Sequence, residues 1–144
     1  MKPINRILSF MMYWGMLFAG AFPVPMRKGY ADKVLIITSG EIWQSMPGPI
    51  VAMAVQNFRN RGYAALGGII LNRRNVKREE EKVQELAEDF ETKVIGKLTH
   101  SDLVTDAEEQ GKTLMECYPE SEMATEYRIL AEQILNLCRE DGLC

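Results

Sequence analysis

The sequence has one histidine, His100, and three cysteines, Cys117, Cys138 and Cys144. A single His excludes a metal centre built from several imidazoles of one chain. The cysteines lie 21 and 6 residues apart, which matches no C-x-x-C zinc or cluster pattern, so they read as reduced thiols. A basic excess is also missing. Lys+Arg is 17 against Asp+Glu 20, a net charge of −3, and that counts against a duplex nucleic-acid binder. There is no internal repeat and no low-complexity linker. No complete phosphate-binding loop is present either. Gly111-Lys112-Thr113 has the ending of one, but the pattern requires a Gly five residues before Gly111, and that residue is Asp106. The segment before it has helical spacing rather than strand character, so chance is the better reading.

What is present is ordinary for a globular protein: 144 residues, 47% apolar and 26% charged, enough for one domain with a sizeable core. The charge is uneven. Residues 1–37 carry five basic groups and one acid, and the remainder is net acidic. Ile7 to Phe22 is almost continuously apolar, with Lys2 and Arg6 before it and Ala19-Gly20-Ala21 at its end. Residues 1–21 therefore have the outline of an export signal. The run is shorter than the roughly 20 residues that span a bilayer. A strand buried on both faces would look the same.

Beyond it, strands and helices alternate. Lys33–Thr38 is rich in β-branched residues and is closed by Ser39-Gly40. Pro47 and Pro49 stand where a helix can begin. Ile50, Val51, Ala54, Val55 and Phe58 then follow at helical spacing, and Gly62 stops the run. Leu66–Leu71 is a second strand. Lys77–Glu91 is a charged helix with the stripe Val83, Leu86, Ala87 and Phe90. Lys93–Leu98 is a third strand and Asp102–Gln110 a short helix. Ser121 caps a last helix with the stripe Met123, Tyr127, Leu130, Ile134 and Leu137, and Gly142 ends it. This order predicts right-handed crossovers and an α/β fold with a parallel sheet. Ligands of such sheets sit at the carboxyl ends of the strands. Ser39-Gly40-Glu41, Asn72–Asn75 and Thr99–Ser101 lie there.

Several residues have both a structural and a functional reading. Gly67-Gly68 inside a strand marks the close approach of a neighbouring helix. Asn72 and Asn75 serve equally as turn residues or as readers of a base or ribose. His100 has no partner His and no nearby Cys, and reads as an isolated surface residue. Glu79-Glu80-Glu81 reads as a solvated helix face.

Taken in order and spacing, Phe22–Arg27, Ser39-Gly40-Glu41, Leu66–Asn75, Ala107-Glu108, Lys112-Thr113 and Glu126-Tyr127-Arg128 resemble the nitrogenase iron protein family and its nitrogenase-like relatives. The resemblance runs from about Ile7 into the last helix and corresponds to the C-terminal half of such a subunit. It implies a partial P-loop NTPase-type sheet with flanking helices, without its phosphate-loop half. Residues 1–144 would form a single C-terminal-half unit, with 1–22 a degenerate second-switch strand and 23–144 a βαβαβα run. The family consists of homodimeric ATPases with a shared [4Fe-4S] cluster, which use ATP and Mg²⁺ to drive electrons to a partner metalloprotein. That chemistry rests on phosphate positioning and switching rather than on covalent steps.

The resemblance also implies losses. Where the family has Asp-Val-Leu-Gly-Asp-Val-Val-Cys-Gly-Gly-Phe, residues 12–22 put Met12 and Met16 at the two aspartates and Ala19 at the cluster cysteine. A thioether does not replace a carboxylate on Mg²⁺, and a methyl group does not ligate iron. The nucleoside side is better kept. Asn72 matches the family residue that reads adenine, Glu108 an acid near the ribose and Tyr127 an aromatic beside the base. Thr99 replaces Pro, while Thr105 and Met123 each replace Gln. Arg27 matches a partner-docking basic residue, and Tyr30 replaces the next one. The expectation is a cytoplasmic chain, inactive alone, that is a gene remnant or one piece of a split subunit. It would keep at most weak adenine-nucleotide binding and would bind neither cluster nor Mg²⁺. Its partners would be a second copy or a full-length homologue and a metalloprotein, not nucleic acid or a membrane. A binding module that complements a full-length subunit, and an exported protein, are the alternatives.

Overall fold

The computed structural model describes residues 32–39 and 65–140. The expected Ile50–Phe58 helix, the 1–22 segment, Arg27, Tyr30, Gly142 and Cys144 lie outside the described residues. Within them, strands β1 (Lys33–Thr38), β2 (Ala65–Asn72) and β3 (Val94–Leu98) form a parallel sheet in the order β1-β2-β3. Helix α1 (Glu79–Asp89) connects β2 to β3. Helices α2 (Asp102–Glu109), α3 (Leu114–Cys117) and α4 (Glu122–Glu140) follow β3.

Strand β2 is central, and its side chains alternate between two cores. Ile69 and Leu71 join Ile36 of β1 and Val83, Leu86 and Ala87 of α1. Ile70 joins Ile95 and Leu98 of β3, Leu114 of α3, and Met123, Ala124, Leu130 and Leu137 of α4. The run Leu66–Leu71 is continuously apolar for this reason: helices cover both faces of the strand. The stripes expected on α1 and α4 are the faces that pack. Glu79 and Arg78 replace Lys77 as the start of α1, and Asp89 ends it.

The glycines of β2 and β3 make this packing close. A Cβ on Gly67 would lie 3.1 Å from Leu137 Cδ2, and one on Gly96 would overlap Leu130 Cδ1. Both allow α4 to approach the sheet, as the sequence suggests for Gly67. Gly68 has a different cause. It has φ +156°, and a Cβ there would lie 2.5 Å from Ile95 Cγ2 and 3.1 Å from the Lys93 carbonyl oxygen. The neighbour is a strand, not a helix. The β1–β2 register shifts between Val34 and Leu35, and the β2–β3 register shifts between Ile69 and Ile70. Gly68 and Ile95 are at these irregularities, where a bulged strand crowds its neighbour.

The helix ends explain the false phosphate motif. Gly111, at φ +67°, follows α2, and Thr113 opens α3 with a reciprocal capping box to Glu116. The Gly-Lys-Thr residues are thus a stop and a start for two short helices. Ser121 caps α4 as expected, its Oγ accepting from Ala124 N at 3.1 Å. No described helix is long and apolar enough to cross a membrane.

Gly68→Ala should lower stability by about 1–3 kcal/mol, because neither the Lys93 backbone nor the positive φ relaxes cheaply. Gly67→Ala meets only side-chain ends and should cost less. Urea unfolding midpoints of the two variants check this order.

Candidate functional site

The carboxyl ends of β2 and β3 bring together three short segments: Asn72–Arg78, Thr99–Ser101 and the start of α4. Asn72 is the last residue of β2 rather than the first of the loop. Strand alternation puts its exposed side chain on the same face as Ile70, the face covered by α4. Arg73 N then donates to the Leu98 carbonyl at 2.8 Å, which ties the loop to the end of β3.

The loop after Asn72 is organised by Glu79. This carboxylate is only 3% exposed. It accepts from Arg73 Nε at 3.1 Å, Arg74 N at 3.0 Å and Val76 N at 3.4 Å. The expectation of a solvated acidic face therefore fails at Glu79. The left-handed residues Asn75 and Arg78, at φ 60° and 59°, fold the loop back so that the first helical residue faces its own lead-in. Burial alone would raise the Glu79 pKa. The hydrogen bonds from Arg74, Arg73 and Val76, with the Arg73 charge, outweigh it and hold the carboxyl below the usual carboxylate range. Glu80 and Glu81 remain outside, paired with Lys97 and Arg78 at 2.6 Å each.

On the far side, Glu126 of α4 receives two bonds from Thr99. The backbone N–H reaches Oε2 at 2.7 Å and the hydroxyl reaches Oε1 at 2.7 Å. Tyr127, the next residue, is half-buried against the core of α2, α3 and α4. Its phenol is pushed above the usual range, first by burial, then by the charges of Glu108 and Glu126. The charge of Glu108 on α2 thus acts on Tyr127 on α4. An open groove of about 430 Å³ runs along β3 and α4, lined in part by Arg73, Lys97, Thr99, Glu126, Ile129 and Gln133.

Other expected residues separate from this group. His100 is half-exposed, with Nε2 3.9 Å from an Asp102 carboxylate oxygen. Thr105 is exposed on α2, and Met123 is buried in the core. Cys117 is partly buried, its Sγ 3.8 Å from Gln110 Oε1, and Cys138 is buried on α4. Neither is in a disulfide among the described residues. Among the described residues no group of three or more His, Cys, Asp or Glu is placed to hold a metal ion. Two thiols on separate elements do not fit the thiolate set of an iron–sulfur cluster. Sequence reasoning missed Glu79 and Glu126. Glu126 could have been found by its place directly before Tyr127. Glu79 is hidden among three identical neighbours.

Three parallel strands between helix layers, with polar residues gathered at the strands' carboxyl ends, define a protein of the P-loop ATPase fold class. The crystal structure of the Pyrococcus furiosus cell division ATPase MinD superposes with a TM-score of 0.58 at 21% identity, covering 75% of this chain and 44% of that one. Residues 7–140 match the family of 4Fe-4S iron sulfur cluster binding proteins, NifH/frxC. Nitrogenase iron protein 2 of Methanothermobacter thermautotrophicus is 38% identical over 120 residues, 83% of this chain and 44% of that protein. The chain belongs to the NifH/frxC family, and it spans about half the length of the curated relative it matches.

Glu79→Gln should cost about 1–3 kcal/mol at neutral pH, because it removes a charged acceptor from three donors. The native Glu79 carboxyl has a lowered pKa, so its contribution is complete above the ordinary carboxylate value and is lost as pH falls through the lowered one. Unfolding free energies measured from pH 7 down to pH 3 should therefore fall less steeply in Glu79→Gln than in the unsubstituted chain.

Proposed function

We propose that these residues form the base-binding side of a nitrogenase-iron-protein-like nucleotide site, in a chain that neither hydrolyses ATP nor carries a cluster on its own. The observation that supports this most is that Asn72 ends β2 on the face covered by α4, while Tyr127 of α4 packs half-buried on that core and feels the charge of Glu108. Asn72 offers a carboxamide donor and acceptor suited to the edge of adenine. Tyr127 offers a partly buried ring for the base to lie against. Glu108 offers an acceptor for ribose hydroxyls.

Catalysis is a separate matter. By resemblance, Met12 and Met16 stand at the positions of the metal-site aspartates and Ala19 at that of the cluster cysteine. No oxygen donor for Mg²⁺ and no thiolate for iron is supplied at those positions. We therefore assign to this cytoplasmic chain the role of a partner in a larger reductase assembly. In that assembly, with a second copy or a full-length homologue, the phosphate contacts, cluster and switch would come from residues other than these. The assembly would pass electrons to a metalloprotein, with Arg27 on the docking surface. Residues 1–144 contain no complete phosphate loop, so the contacts proposed here are to the nucleoside, and without the charge-assisted bonds of a phosphate site their affinity is weak.

Calorimetric titration with ATP tests the reading. Weak binding is expected in the full chain, reduced about tenfold or more in Asn72→Ala and Tyr127→Ala, with no phosphate release. Binding that both substitutions leave unchanged would place the nucleotide elsewhere. Phosphate release by the purified chain would overturn the assignment of inactivity.

A further inference from the structure

The Thr99–Glu126 contact ties the end of β3 to α4, at the open groove that both residues line. Thr99 is the first residue beyond β3, and Glu126 lies one turn into α4. One residue gives both its backbone N–H and its hydroxyl to the two oxygens of one carboxylate, each at 2.7 Å. Two bonds from one residue fix orientation as well as distance, and an ionised acceptor makes both of them strong. The chain then passes from Thr99 through the Ser101 cap, whose Oγ accepts from Leu103 N, into α2, which carries Glu108. On α4, Tyr127 directly follows Glu126. The next anchor between β3 and α4 is the packing of Leu130 over Gly96, one helical turn further along α4.

We propose that Glu126 is a positioning residue. By holding Thr99 it sets the separation of the β3–α2 loop from α4, and with it the fit of a base between Asn72, Glu108 and Tyr127. The inference rests on the nucleotide reading above and assigns a base-discriminating role to a residue that does not touch the base. A base held in a cleft of fixed width is distinguished by its edge groups. In a cleft free to widen, a purine with different edge groups is accepted more nearly equally.

The test compares the full chain with Glu126→Ala, Glu126→Gln, Thr99→Val and the Thr99→Val/Glu126→Ala pair. ATP and GTP affinities are measured by calorimetry, and the Thr99 amide signal is followed by NMR. In Glu126→Ala, ATP binding should weaken about tenfold while the ATP-over-GTP preference collapses toward unity. Glu126→Gln keeps one acceptor oxygen and should fall between. Thr99→Val keeps the N–H bond, so it should lose part of the preference, and the double variant should be no worse than Glu126→Ala. The Thr99 amide should move upfield and exchange faster in Glu126→Ala. Retention of the preference in a folded Glu126→Ala or Thr99→Val chain overturns the positioning role. An unchanged Thr99 amide overturns the contact itself. If the unsubstituted chain binds neither nucleotide, the nucleotide reading falls and the positioning role with it, while the amide signal still shows whether Glu126 holds the loop.

Discussion

Strand β2 is buried on both faces, and the described fold is arranged to keep it so. Its apolar side chains alternate between two helix layers, so neither layer can be lost without exposing part of the strand to water. Glycine is the means on the α4 side. Where β2 and β3 carry Gly67 and Gly96, the leucines of α4 sit in the space that a Cβ would occupy. The close approach of α4 then brings its first turns over the carboxyl ends of the strands. Glu126 lines the groove there, and Tyr127 packs against the core that contains Leu130 and Leu137.

Polar contacts add order where packing ends. The turn after β2 has no regular hydrogen-bond ladder, yet its backbone N–H groups need partners. Glu79 supplies them from the first turn of the following helix, which also welcomes a negative charge. At the other strand end, Glu126 does the same for Thr99. Two carboxylates, from opposite helix layers, thus finish the ends of two neighbouring strands, and no buried side-chain N or O among the described residues is left without a partner.

Much of this was legible in the sequence because periodicity reports burial. The β1 bounds, the α2 start and the Ser121 cap follow from local patterns, and the buried faces of α1 and α4 follow from their stripes. Less legible were features set by long-range geometry. Glu79 looks identical to Glu80 and Glu81 until the left-handed turn at Arg78 directs it inward. Gly68 looks like Gly67 until the register shift brings Ile95 against it. The short helix α3 is hidden under a motif with another meaning, and its capping box is the local signal that reveals it. At the proposed site, Asn72 has a local signal in its place at the end of a strand, whereas Glu108 and Tyr127, 36 and 55 residues further along the chain, are assigned through resemblance alone.

The pairing of Lys97 with Glu80 has a consequence for the company the protein keeps. Strand β3 is outermost in the described sheet, and Lys97 stands exposed upon it, bonded across to α1 at 2.6 Å. A bare apolar strand in that place would be a template for other unfolded or partly folded chains. A lysine held in place by a carboxylate must be desolvated and parted from its counter-charge before a foreign strand can lie against it. The pair thus sets charge beside the outer strand of the described sheet, although its direct contribution to the folded state is small.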